Sequence, residues 1–279
     1  MILLHITVIA AYALAAWSLW PAAQPAIAAS SHPAIGSAAW RFPGWGANWL
    51  MPLALALHAL LALRSIATPT GFDVSLGNAM SVVAGLVAAL AWLSGLLRSM
   101  PAIGTIVLPV AAAGSLLPAL MHSVHRFAYA DRPWAAIHVA VALAAYALLI
   151  VAAVQALLMM GLEKRLHRRL PDPRVDAMPP LLTLERFLFR LVAAGFILLT
   201  VTLATGFVFS EQIFGKPVVF SHKSVFSVLG WLTFGGLLWG RWRYGWRGRV
   251  ALRWILAGTL FVLLAYLGTK FVIEVLLGR

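Results

Sequence analysis

Cysteine is absent from the 279 residues. Thiol redox chemistry, iron–sulfur ligation and zinc–thiolate sites are thereby excluded within this chain. Charge is scarce too: Asp, Glu, Lys and Arg together make 10% of the residues, and only eight of those are acidic. So few carboxylates, nearly all read as lying in loops, give little support to carboxylate-driven proton-coupled transport. The sequence also lacks a P-loop, a nucleophile elbow, paired catalytic carboxylates and an HExxH helix. The chain is therefore read as not being an enzyme in the bond-making sense.

What the chain has in abundance is apolar surface, at 62% hydrophobic residues. A soluble domain averages roughly 45–50% apolar and about 25% charged. A water-soluble fold of this length cannot hide so much apolar surface, so lipid is the solvent for much of it. The net charge of +13 does not mark a nucleic-acid binder, because the charges flank apolar runs as membrane loops do.

Eight apolar stretches approach the ~20 residues needed to cross about 30 Å of hydrocarbon. They are Ile2–Trp20, Trp49–Ala67, Gly77–Leu97, Ile103–Met121, Trp134–Met160, Phe187–Phe209, Val225–Trp239 and Val250–Ile273. The expected fold is an all-α, polytopic integral membrane protein with about eight transmembrane helices in one domain, 1–279. Small residues near Ala26 to Ser30 offer a lesser reading of the first run as a signal peptide, against which stand its length and the lack of a basic region before it. Pro109 and Pro118 are expected to kink the fourth helix rather than break it. Gly235, Gly236 and Gly240 suit close packing in the short seventh stretch.

Orientation comes from the positive-inside rule. Segment 161–176 has five Lys/Arg, and segment 241–249 has four Arg and no acid. Two spans separate them, so they face the same side, the cytoplasm. Counting back puts both termini outside, and 14 of the 21 Lys/Arg then lie inside or at that boundary. The prolines at 171, 173, 179 and 180 stiffen the longest late loop, which divides five helices from a final three.

Ionisable groups in a bilayer are costly and are functional hypotheses by default. His58 lies in the middle of the second span, where an imidazole can ligate haem iron, relay protons or bond to a facing carbonyl or hydroxyl. His138 lies near the outer end of the fifth span. Tyr146, eight residues on, can share its face. His222 opens the seventh span on the same side, and His122 and His125 close the fourth. These four outer imidazoles could supply an axial pair for haem or a metal site. Arg64, at the outer end of the second span, can pair with a haem propionate or a lipid carboxylate or snorkel to water. His5 also falls outside, and His32 and His167 fall in cytoplasmic loops. Trp40, Trp45, Trp49, Trp239, Trp242, Trp246 and Trp254 are read as an interfacial aromatic belt.

Several stretches bear a family likeness. LHALLALRS at 57–65, the run from His138 to Leu149 and GWRGRVALRWILAGTLFVLLAYLG at 245–268 resemble the cytochrome c assembly (CcsA/CcmC-type) membrane proteins. MPPLLTLERFLFR at 178–190 resembles the YpjD/HemX-like branch. The likeness runs from about Leu50 to Phe271. It implies an eight-helix haem-handling fold of the cell inner membrane, with haem, cytochrome c maturation proteins and membrane lipid as partners. It also implies that His58, with Arg64 after it, His138 and His222 are the lead haem-iron ligand candidates, while His122 and His125, by their outer position alone, are secondary ones.

The chain departs from that pattern in three places. The tryptophan-rich outer loop is replaced by HSVHRFAYADRPW at 122–134. The Gly-His-x-Pro turn reads Gly71-Phe72-Asp73-Val74. The closing LHSYG-like element is missing. Haem handling associated with cytochrome c assembly is the leading expectation. A membrane scaffold or regulatory protein without cofactor, and a small-molecule transporter, stand beside it.

Overall fold

The structure is a computed structural model, describing residues 2–19, 49–68, 71–73, 75–96, 103–121, 133–167, 180–208 and 222–268. The apolar runs form helices because only a helix satisfies every backbone N–H and C=O within one segment in hydrocarbon. In chain order these are α1 (Ile2–Leu19), α2 (Leu50–Ile66), α3 (Leu76–Leu96), α4 (Ile103–Gly114), α5 (Leu117–Leu120), α6 (Pro133–His167), α7 (Leu181–Val208), α8 (His222–Tyr244) and α9 (Gly248–Leu263). A five-residue π-helical turn, Leu264–Gly268, continues α9. Among the described residues, four segments are long and apolar enough to cross a membrane: Leu76–Leu93, Trp134–Lys164, Leu181–Val208 and Gly248–Tyr266. Ile2–Trp17, Leu50–Ile66 and Val107–Leu120 are shorter apolar helices.

The helices close into two rings of four. In the first, α1 packs on α2 and α4, and α3 packs on α2 and α4. In the second, α6 packs on α7 and α9, and α8 packs on α7 and α9. The α3–α6 contact joins the rings. The division is thus four and four, and not the five and three read from the proline-rich loop. Ala145, Ala152 and Ala156 share one face of α6 and are fully buried, and small residues there let a neighbouring backbone come close. Gly195 of α7 sits so near that a Cβ there would fall 2.7 Å from Leu149 Cδ2.

Local features depart from the sequence reading. Pro109 does lie inside a continuous helix. At Pro118 the chain breaks instead of kinking: Ser115 and Leu116 form a turn, and Pro118 enters the first turn of α5. There its missing N–H costs nothing, since first-turn donors have no helical partner. Helix α6 runs past Met160 to His167, and α7 begins at Leu181. Glu163 and Glu185 therefore stand on helices rather than in loops. Helix α8 has 23 residues, longer than its apolar stretch. A two-residue antiparallel pair, Ala67–Thr68 with Gly71–Phe72, and the bridge residue Asp73 beside it depart from the all-helical reading. Asp73 Oδ1 accepts from the Ser75 N–H at 3.0 Å, and Asn78 Nδ2 donates to the carbonyls of Ser65 and Asp73.

The glycines of α8 receive aromatic rings. A Cβ at Gly235 would meet Phe196, one at Gly236 would meet Trp254, and one at Gly240 would strike Trp246. Trp246 and Trp254 are half-buried with centroids 5.1 Å apart, so they pack inward rather than join the belt. Trp49, Trp239 and Trp242 are exposed as a belt requires. Trp40 and Trp45 lie outside the described residues.

Candidate functional site

Two histidine nodes emerge, one in each ring. In the first, His58 of α2 is 2% exposed and held on both sides. Its Nδ1 stands 3.0 Å from the Tyr12 hydroxyl of α1, and its Nε2 stands 3.1 Å from Ser81 Oγ of α3. Gly85 leaves room for the ring: a Cβ there would touch it at 3.4 Å. A neutral imidazole has one donor and one acceptor nitrogen, and two hydroxyls satisfy both. His5, buried at 5%, lies within electrostatic reach of His58. Its Nδ1–H donates to the Ser115 carbonyl at 2.6 Å. That carbonyl needs the bond, because the Ala119 N–H turns to Leu116 instead, a consequence of the break before Pro118.

In the second node, His138 of α6 is half-buried, with Nδ1 at 2.9 Å from Thr205 Oγ1 of α7. The Thr205 hydroxyl already donates to the Val201 carbonyl at 2.7 Å. With the Thr202 carbonyl a further acceptor at 3.1 Å, the hydroxyl can give its proton to the backbone and accept from His138 Nδ1–H, an assignment that leaves the imidazole lone pair on Nε2. Gly206 again makes room for the ring at 3.4 Å. Lys223, in the first turn of α8, lies near enough to His138 for their charges to interact. Its Nζ sits 5.7 Å from the centroid of Tyr266 in the π-helical turn. Tyr266 meets Tyr146 of α6 edge to face at 5.9 Å. His138, Thr205, Lys223 and Tyr266 thus come from four successive elements and gather at one end of the second ring.

The other candidates are scattered. His222 is exposed beside Lys223, at the same end as His138. Arg64 is exposed in the last turn of α2. His122, His125 and His32 lie outside the described residues, and His167 ends α6. His58 and His138 belong to different rings. Among the described residues no group of three or more His, Cys, Asp and Glu side chains could hold a metal ion. Haem iron would take an imidazole nitrogen, and a half-buried imidazole that can tie its Nδ1–H to an acceptor and leave the lone pair on Nε2 is a donor of that kind. The residues at His138 therefore fit the group. At His58 ligation would first require Tyr12 or Ser81 to let go.

The opposite end of the second ring is ionic. Arg241 pairs with Glu185 of α7, donates to the Trp246 carbonyl at 3.2 Å and covers the Phe189 ring at 4.3 Å. Arg249 reaches Glu163 of α6 at 3.3 Å on the surface. The chain reverses between α8 and α9 at Gly245, whose φ of 68° is left-handed and suits glycine. Sequence reasoning passed over Thr205, Tyr12, Ser81 and Glu185. A threonine or serine within an apolar run carries no periodic signal, and its partner lies on another helix.

The model of the family described as "Cytochrome C assembly protein" matches residues 46–277. The inner membrane protein YpjD of Escherichia coli (strain K12) is 34% identical over 140 residues, covering 50% of this chain and 52% of that protein. A protein of Azospirillum brasilense is 39% identical over 145 residues, with 52% and 54% covered. The cytochrome c biogenesis protein CcsA of Thermosynechococcus vestitus is 26% identical over 211 residues, with 61% and 66% covered. The chain spans about half the length of the first curated relatives it matches. No solved structure matches.

Proposed function

The chain belongs to the cytochrome c assembly protein family, and on that footing we propose that it is a multi-pass inner-membrane protein that binds haem in the service of cytochrome c biogenesis. The observation that carries the haem reading is the His138–Thr205 pair. A threonine hydroxyl that can give its proton to the Val201 or Thr202 carbonyl can accept from His138 Nδ1–H and leave Nε2 as the donor atom, the arrangement by which outer-shell partners orient metal-bound histidines. His138 would be the lead residue to hold the haem iron, with His222 from the same end as the second candidate. Bound haem would supply the iron and its redox chemistry, and the chain would supply position, exclusion of water and polarity. The chain makes and breaks no covalent bond in this reading.

The eight-span topology belongs to the same proposal. With the N-terminus outside, His138, His222 and Lys223 face outward, and Arg241 and Arg249 face the cytoplasm. The family name and the YpjD and CcsA relatives support inner-membrane placement and maturation proteins as partners.

A second reading, a membrane scaffold or regulator without cofactor, is favoured by His58, whose nitrogens are both already satisfied. A visible absorption spectrum of the full chain, purified from haem-replete cells, separates the two. The haem reading expects a Soret band that His138→Ala removes. A colourless wild-type protein would leave the scaffold.

A further inference from the structure

Arg253 stands in an apolar stripe. It lies within the membrane-length segment Gly248–Tyr266, about 8 Å along the helix from Gly248, and shares its exposed face of α9 with Val250, Leu260 and Leu264. A place in a loop therefore does not account for its charge, and a charge on a lipid-facing helix surface is costly unless water or an opposite charge meets it. Two contacts set α9 against α6 on one side of that face. The Thr259 hydroxyl donates to the Leu149 carbonyl at 3.3 Å, and Arg249 Nε donates to Glu163 at 3.3 Å. Arg249 is one turn from Arg253 on the same face of α9, and the exposed Lys164 follows Glu163 on α6. Three cations thus stand beside one carboxylate. Arg249 engages that carboxylate, Arg241 engages Glu185, and among the described residues no ion pair reaches Arg253 or Lys164.

Away from this basic end the seam turns apolar. Leu157, Gly161 and Lys164 form one exposed stripe of α6. A Cβ at Gly161 would meet nothing within 4 Å, so the helix surface dips between Leu157 and Lys164. A cationic end that runs into an apolar seam complements an amphiphile with an anionic head and an acyl chain. We infer that the lipid-facing side of the α6–α9 seam seats an anionic phospholipid, its phosphate held by Arg253 and Lys164 and its chain lying along Leu157 and Leu260. Arginine suits the phosphate because its planar fork donates two parallel N–H bonds. On the proposed topology this end faces the cytoplasm, where basic pockets between membrane helices take acidic headgroups. A soluble acidic protein would match the charge but leave Leu157 and Leu260 without a partner. The seam lies at the opposite end of the second ring from His138 and does not depend on haem.

The test titrates phosphatidylglycerol and phosphatidylcholine of the same acyl chains into the full chain in a neutral detergent, and tryptophan fluorescence follows the thermal unfolding midpoint. Phosphatidylglycerol is expected to raise the midpoint at about tenfold lower concentration than phosphatidylcholine, the size of one charge-assisted contact. Arg253→Gln combined with Lys164→Gln abolishes that preference. Both side chains are exposed, so the midpoint without lipid stays where it was. Arg64→Gln, in the last turn of α2, keeps the preference. Glycerol 3-phosphate and polyglutamate, soluble anions without an acyl chain, stand for a free phosphate and an acidic protein. A preference that persists in the double variant, equal action of the two lipids on the wild-type chain, or a soluble anion that reproduces the phosphatidylglycerol shift overturns the inference.

Discussion

The Tyr12 hydroxyl stands 3.0 Å from His58 Nδ1, and it comes from α1, which precedes the residues 46–277 that match the family. With His5, which ties α1 to the Ser115 carbonyl, it makes the first helix a working member of its ring. Both contacts replace water that hydrocarbon cannot provide. Tyr12→Phe should lower stability by about 1–3 kcal/mol, the cost of leaving a buried partner unpaired. Thr7→Ala, which removes an exposed contact on the same helix, should be neutral. Thermal unfolding in detergent, followed by tryptophan fluorescence, makes the comparison. Equal midpoints for Tyr12→Phe and wild type would show that the hydroxyl contributes nothing.

Thr205→Val keeps the shape of the side chain and removes the acceptor for His138 Nδ1–H. The imidazole is then free to change tautomer and swing. Haem affinity should fall about 10–100-fold, the usual cost of losing an outer-shell partner, while His138→Ala removes the Soret band altogether. A Thr205→Val protein with wild-type affinity would argue that the threonine plays no part in positioning.

Arg241 and Glu185 form an inward-turned pair at the basic end of the second ring. Removing one partner strands the other charge, so Glu185→Gln should cost about 3 kcal/mol or more. The double replacement Glu185→Leu with Arg241→Met should recover much of that loss, since no charge is then left alone. Glu163→Gln, which breaks the surface pair with Arg249, should cost under about 1 kcal/mol. Denaturation midpoints of these variants and the wild type test the ranking, and a Glu185→Gln effect as small as that of Glu163→Gln would refute it.

The absence of cysteine permits a clean test of orientation. Single cysteines at Lys164 and Lys223, both exposed, are offered to a membrane-impermeant maleimide on intact cells. Lys223→Cys should label and Lys164→Cys should label only after permeabilisation. The reverse pattern would invert the topology.

Much of the architecture was written in the apolar runs. Their order matches that of the main helices among the described residues, because a 20-residue run carries its own signal. The ends were less legible. Helix α6 continues through Glu163 to His167 because a packed helix need not stop where its hydropathy does. The break at Ser115 was hidden, since Pro109 and Pro118 look alike in sequence and differ only in whether the lost donor falls in a first turn. His58 and His138 could be picked out as imidazoles within apolar runs. Their different surroundings could not, because Tyr12, Ser81 and Thr205 lie 46, 23 and 67 residues away along the chain. The grouping of α6 with the later helices was equally out of reach, since a loop's prolines say nothing of which faces meet.

Helix α6 is longer than the layer it crosses. Its 35 residues rise about 52 Å, and the 28 of α7 about 42 Å, against roughly 30 Å of hydrocarbon. On the proposed topology, that surplus would carry the basic ends of both helices clear of the lipid tails. An antibody fragment or a soluble neighbour bound at the exposed Lys164 would meet the chain at the far end of the same helix that bears His138. The overhang is thus a handle, one that can be grasped without touching the imidazole at the other end.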